Sequence, residues 1–338
     1  MHRTARTILL GLVVVLLVFG VIMLYSTSYA VFGEAKLQRQ LGWITIGLIA
    51  ALVVRRLDYR RLGTYSPLLL TGMTIVLAYL AGAFVLYHID LTRPLVSHMP
   101  LIGGPIKGSF RWLRFGPASI QPSEFAKPIL ILFLADYFNR HGRHLHEFKR
   151  GFLVPVGIAG TVMVLILLGG SLSTTAITGA VVGTLCFVAG VRLRYLALLL
   201  LAGALAFAAI VSISPERLSR LTTYRTPEKY QRNDGYQLWM SQLALGSGGW
   251  RGLGFTNSRM KQRYLPEAHT DFIISIVGEE LGFLSVMGLL LAYLLLVGSA
   301  CWVAALAPVD VAAASILPET QRQLAPTRTH ALRVARPI

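Results

Sequence analysis

The chain is 338 residues long, 54% hydrophobic and only 14% charged, with a mean hydropathy of +0.61. Soluble domains carry about 25% charged residues, so this composition excludes a soluble globular protein and indicates an integral membrane one. The formal net charge of +17 does not mark a nucleic-acid binder, because no soluble basic domain accompanies it. Much of that charge lies beside the ends of apolar runs, where it sets topology and meets anionic lipid.

In chain order, the apolar runs predict helices near 8–26, 41–54, 67–87, 122–139, 151–169, 174–191, 195–213 and 271–306. Each is read as long enough to cross about 30 Å of hydrocarbon at 1.5 Å per residue. The second run is short and is extended back into Gln38–Gln40. The expected fold is therefore all-α, a polytopic membrane bundle of about eight transmembrane helices. No small-residue cleavage site follows the first run, which reads as a retained span rather than a signal peptide. Cys186 and Cys301 sit inside apolar runs and suggest packing, with no disulfide, metal site or redox role.

Basic clusters alternate sides between these helices. Arg3 and Arg6 precede the first; Arg55, Arg56, Arg60 and Arg61 follow the second. Arg140, Arg143, Lys149 and Arg150 follow the fourth, and Arg192 and Arg194 follow the sixth. All fall on one side if the N-terminus is cytoplasmic, as the positive-inside rule requires. Segments 88–121 and 214–270 are then extracytoplasmic. The roughly 57 residues of 214–270 far exceed what a bare spacer needs. That loop carries Arg217, Arg220, Arg225, Lys229, Arg232, Arg251, Arg259, Lys261 and Arg263 against four acids. Such charge suits an anionic ligand such as a pyrophosphate; a basic loop on lipid headgroups is the plainer reading. Gly246, Gly248, Gly249, Gly252 and Gly254 permit close backbone approach to a ligand, or simply a flexible turn.

"GSFRWLRFGPASIQPSEFAKPILILFLADYF" (108–138) puts Pro122 in a first helical turn, where its missing N–H is harmless. Glu124 and Lys127, three apart, share a face at the start of an apolar run, where ionisable groups mark function by default. An ion pair locking two helices is the structural alternative. Arg111 and Arg114 with Trp112 would hold a phosphate and a sugar face, or anchor the chain at the interface, the commoner role for such a Trp. "YLPEAHTDFIISIVGEELG" (264–282) leads a histidine and several carboxylates into the last apolar helix. By position alone, Asp271 reads as a helix cap favoured by the macrodipole. Glu279 and Glu280 lie about 12 Å further along a helix, too deep to share its role, and are expected to bond neighbouring helices or line a cavity.

These segments, with "GYQLWMSQLALGSGGWRGLG", "IMLYSTS" and "VVRRLDYRRL", resemble the shape, elongation, division and sporulation family over roughly residues 8–300, in family order. The Tyr-Gln-Leu-Trp and Leu-Pro-Glu-Ala-His-Thr-Asp wording is closer to its FtsW type than to its RodA type. The resemblance implies a peptidoglycan glycosyltransferase that polymerises lipid II at the outer face of the bacterial cytoplasmic membrane, in division or elongation. It implies a class B penicillin-binding protein and other division or elongation proteins as partners. Asp271 matches the family's catalytic aspartate, which would take the proton of an attacking sugar 4-hydroxyl. Arg111, Glu124, Lys127, Gln237 and His269 are implied on the substrate side: Lys127 and Arg111 facing a departing pyrophosphate, Glu124 orienting Lys127. His269 is read either as assisting proton traffic or as a structural hydrogen-bonding residue. No cofactor is evident, although a divalent cation would suit the lipid pyrophosphate.

The chain departs from the family in two places. "GGSLSTTAITG" places Ser171 where the family carries an acid. Residues 1–306 read as the family's transmembrane domain with eight of its ten helices, and 307–338 as a disordered cytoplasmic tail resembling out-of-frame sequence. The expectation is a weak or inactive polymerase as written. A lipid-linked precursor flippase or transporter and a non-catalytic division scaffold are the alternatives. Transport predicts inverted repeats with matched broken helices, and none is convincing here.

Overall fold

The structure, a computed structural model, describes residues 2–89, 94, 96, 99–102, 109–116, 118–214, 218–219, 223–224, 228, 235–262 and 264–305. Arg217, Arg220, Arg225, Lys229, Arg232, Arg263 and the tail 307–338 lie outside the described residues.

The helices are α1 (His2–Phe32), α2 (Ala35–Arg56), α3 (Tyr59–His88), α4 (Pro122–Arg140), α5 (Val154–Leu168), α6 (Leu172–Val188), α7 (Leu193–Ile213), α8 (Tyr236–Ser247) and α9 (Ile273–Ala305). The first seven expected helices are α1–α7 and the eighth is α9, while α8 is an additional helix inside the long loop. Among the described residues, six helices are long and apolar enough to cross a membrane: those within α1, α2, α3, α7 and α9, and the stretch Phe148–Leu168. Leu172–Val188 is apolar but shorter. Helix α2 buries none of its residues, and exposes Leu41, Trp43, Ile46 and Ile49. In a helix of this length, such an apolar surface is one that hydrocarbon covers.

The described chain separates into two compact units, one of residues within 2–56 and 208–305, the other of residues within 57–207. In the second unit α3, α4, α5 and α6 pack around Leu70, Leu77, Leu130, Leu134, Val162 and Val182. Leu130 and Leu134 are a turn apart in α4 and so occupy one buried stripe. A short antiparallel hairpin, β1 (Leu113–Phe115) and β2 (Ala118–Ile120), pairs Leu113 with Ile120 and turns through Gly116 at φ 60°. It leads into α4 through Gln121, with Pro122 in the first turn as the sequence suggested.

In the first unit, α1, α8 and α9 pack together, with Met23, Leu265, Ala268, Ile276 and Val277 at the centre. Helix α9 is broken at Gly282, whose φ of 79° and ψ of 179° are not helical. The uninterrupted run expected over 271–306 is therefore two helical pieces in series. The break is caused by a loop from earlier in the chain. Gly249 and Trp250 carbonyls accept the Phe283 and Leu284 amides at 2.9 and 3.4 Å, while Leu253 and Gly254 amides donate to Glu279 and Glu280 carbonyls at 2.9 Å each. A loop strand thus inserts into the helix's own hydrogen-bond ladder, one of the ordinary origins of a sharp kink.

Candidate functional site

The turn before α9 presents the matched motif. Glu267 has a left-handed φ of 55°, uncommon outside glycine. Its carbonyl accepts the Thr270 amide at 3.1 Å and the Phe272 amide at 3.4 Å. Leu265 and Ala268 are buried and anchor the turn from below. Asp271 is left exposed, two residues ahead of the first residue of α9. The helix begins at Ile273, so Phe272 rather than Asp271 holds the position that directly flanks it.

His269 is half-buried beside it, and its Nε2 contacts the Lys36 Nζ from the first turn of α2. A lysine ammonium has only donors to give, so it pairs with a neutral ring whose Nε2 accepts. Burial chiefly, and then the adjacent Lys36 charge, hold the His269 imidazole below its ordinary value; Glu267 and Asp271 pull in the opposite direction. Lys36, His269, Glu267 and Asp271 therefore form one electrostatic group. Lys36 and Glu267 escaped the sequence reading. The available signal for Lys36 was a cation at the head of an apolar helix. Gln237 is exposed in the first turn of α8, in the same unit.

The two glutamates of α9 do bond their surroundings. Glu280 is fully buried, with Ser26 Oγ of α1 at 2.6 and 2.8 Å from its two oxygens and Lys261 Nζ at 2.7 Å. Glu279, 1% exposed, accepts from Ser258 Oγ at 2.5 Å and from the Arg259 amide at 2.9 Å. Lys261 must be removed from the cations counted for an anionic ligand, because it is buried in this ion pair. Arg251 and Arg259 are exposed. The loop glycines also separate by role. A Cβ on Gly248 would lie 1.9 Å from the Gly278 carbonyl oxygen, and one on Gly252 2.2 Å from that of Glu280. These two glycines let backbone approach α9. Gly246 faces open space.

In the second unit, Lys127 Nζ and Glu124 Oε2 are 2.8 Å apart on one face of α4, with side chains 21% and 52% exposed. The pair lies within a single helix and locks no second one. Arg111 is half-buried and its Nε donates to Ser109 Oγ at 2.8 Å. It lines a small cavity with Phe110, Ser123, Gly169 and Ser171. Gly170, at φ 89°, permits this approach, since its Cβ would stand 2.7 Å from that of Ser109. Ser171 is buried and donates to Thr174 Oγ1 at 2.7 Å. The position that lacks the expected acid therefore shares a cavity with Arg111. Trp112 is partly exposed beside it.

The chain is similar to known proteins over most of its length. The model of the FtsW/RodA/SpoVE cell cycle proteins matches residues 6–314. A probable peptidoglycan glycosyltransferase FtsW of Legionella pneumophila is 35% identical over 295 residues, 86% of this chain and 71% of that protein. Stage V sporulation protein E of Bacillus subtilis is 34% identical over 290 residues, covering 83% and 74%. A solved peptidoglycan synthase complex, described for its coordination of polymerization and crosslinking, matches with a TM-score of 0.66 at 27% identity, over 86% of this chain and 75% of that one. RodA of Thermus thermophilus matches with a TM-score of 0.58 at 26% identity, over 86% and 72%. In sequence span, motif wording and fold alike, this chain belongs to the FtsW/RodA/SpoVE family of multi-pass membrane proteins.

Proposed function

We propose that the chain is a peptidoglycan glycosyltransferase of the bacterial cytoplasmic membrane, with its N-terminus cytoplasmic and segments 88–121 and 214–270 outside, polymerising lipid II. The observation that carries the reading is Asp271, an exposed carboxylate held by a strained turn at the head of an apolar helix. There a lipid-linked sugar presents its hydroxyl at headgroup depth. In the reaction the acceptor 4-hydroxyl oxygen bonds to the donor's anomeric carbon, the anomeric C–O bond to pyrophosphate breaks, and the leaving group departs with the electron pair. Asp271 takes the hydroxyl proton. Arg111 and Lys127 offset the developing pyrophosphate charge, Glu124 orients Lys127, and Gln237 contacts substrate. A divalent cation, where required, arrives with the pyrophosphate as part of the substrate. His269, neutral and bonded to Lys36, orders the base rather than relaying its proton. A class B penicillin-binding protein and other division or elongation proteins are the partners this role requires.

Purified chain in liposomes with lipid II tests the proposal. Glycan strands support it. Transbilayer movement of lipid II without polymer favours a flippase, and neither activity favours a scaffold.

A further inference from the structure

The break in α9 and the buried carboxylates beside it form one device. Loop residues 248–254 supply two amides to the Glu279 and Glu280 carbonyls, and two carbonyls to the Phe283 and Leu284 amides. Residues 258–261 then bind the glutamate side chains themselves. Ser258 Oγ and the Arg259 amide reach Glu279, and Lys261 Nζ reaches Glu280 at 2.7 Å and Ser26 Oγ at 3.0 Å. Beyond this anchor the Leu265 amide donates to the Met260 carbonyl at 2.9 Å, and the chain enters the Glu267 turn that ends at Asp271. Asp271 is thus fixed from both directions: by the helix it precedes, and by a loop clamped onto that same helix two turns further on.

A buried lysine and carboxylate are costly to hold out of water, and losing one partner leaves the other uncompensated. Two adjacent buried glutamates make this arrangement more demanding than packing alone requires. We propose that Glu279, Glu280 and Lys261, with Ser26 and Ser258, form a latch whose role is to position Asp271. None of these side chains touches the reacting atoms; they act through the loop. The inference rests on Asp271 as the base, and a catalytic group misplaced by about 0.5 Å already loses productive geometry.

The test uses the full chain in detergent, with K261M, E280Q and the milder S258A. Hydrogen exchange of residues 253–262 and 265–272 is read alongside lipid II polymerisation. The expected result is at least tenfold faster exchange in both segments with the remaining helices protected as before. With it, kcat falls about tenfold or more and KM for lipid II stays within twofold. Should K261M or E280Q fail to fold, S258A carries the same pattern at smaller amplitude. Unchanged exchange over 265–272, or a raised KM at normal kcat, would overturn the latch. The exchange arm reads the loop even where no polymer forms, so failure of the glycosyltransferase reading is distinguished from failure of this one.

Discussion

Gly252→Ala puts a methyl group where the structure has no room for one. Its Cβ would stand 2.2 Å from the Glu280 carbonyl oxygen, 2.4 Å from the carbonyl carbon and 2.6 Å from the Leu281 nitrogen. All three are backbone atoms, so no flexible side chain can swing aside. Gly252 also sits at φ 81°, a conformation that costs an L-residue about 1–2 kcal/mol. Overpacking adds about 1–3 kcal/mol. The sum, about 2–5 kcal/mol, is of the same size as the roughly 4 kcal/mol from the four amide bonds that join this loop to α9, at about 1 kcal/mol each. The loop is therefore expected to detach from α9 while the helices persist. Gly246→Ala is the control, since nothing lies within 4 Å of its Cβ and it is inside α8; alanine there should be neutral or stabilising by up to about 1 kcal/mol. Amide exchange across 249–262 and a thermal melt in detergent measure both. Native protection in G252A, or equal damage in G246A, would refute the reasoning.

Three further outcomes follow from the remaining contacts. Lys127→Met should cost under about 0.5 kcal/mol of stability, since its partner is on the same helix and half exposed, yet slow turnover at least tenfold; a membrane level that collapses in step with turnover would show a structural role instead. Ser171→Asp should place a carboxylate in the cavity lined by Arg111 and raise the melting midpoint, a hydrogen bond to a charged group contributing about 1.5–3 kcal/mol of stability; an unchanged or lowered midpoint would mean that Arg111 does not reach it. His269 has a depressed pKa in the fold, so the unfolded chain binds the extra proton first. Its contribution to stability is complete above about pH 6.5 and is lost as pH falls through the lower folded value. Lys36→Met should raise that folded value, as NMR titration of the imidazole would show.

The helices were legible because their cause is local: a run of apolar residues bounded by basic clusters favours a helix wherever it occurs, although not each one is long and apolar enough to span a membrane. The Glu124–Lys127 pair was legible for the same reason, since a spacing of three on a helix needs no tertiary knowledge. What the sequence hid depends on partners far along the chain. Gly282 breaks α9 because a loop some thirty residues earlier invades its ladder, and nothing within "GEELGF" announces that. Lys36 meets His269 across 233 positions, and nothing in the residues beside it points to that partner. Lys261 counted as a free charge on composition, and only packing shows it buried against Glu280. The hairpin at 113–120 is too short for a period-two pattern to emerge. The motif around Asp271 could be matched residue by residue, but its exposure and the Glu267 turn that creates it became visible only in three dimensions.

The most direct measurement is lipid II polymerisation by Asp271→Asn beside the unaltered chain, in the same liposomes. Asp271 is exposed and lies outside α9, so the substitution should change stability by no more than about 0.5 kcal/mol. Lipid II binding should be retained, because asparagine keeps the shape. Loss of a general base removes about 10²–10⁴ in rate, equivalent to about 2.7–5.4 kcal/mol of transition-state stabilisation. The account predicts polymer formation down by that factor with folding and binding intact; near-normal polymer from the asparagine variant would contradict it.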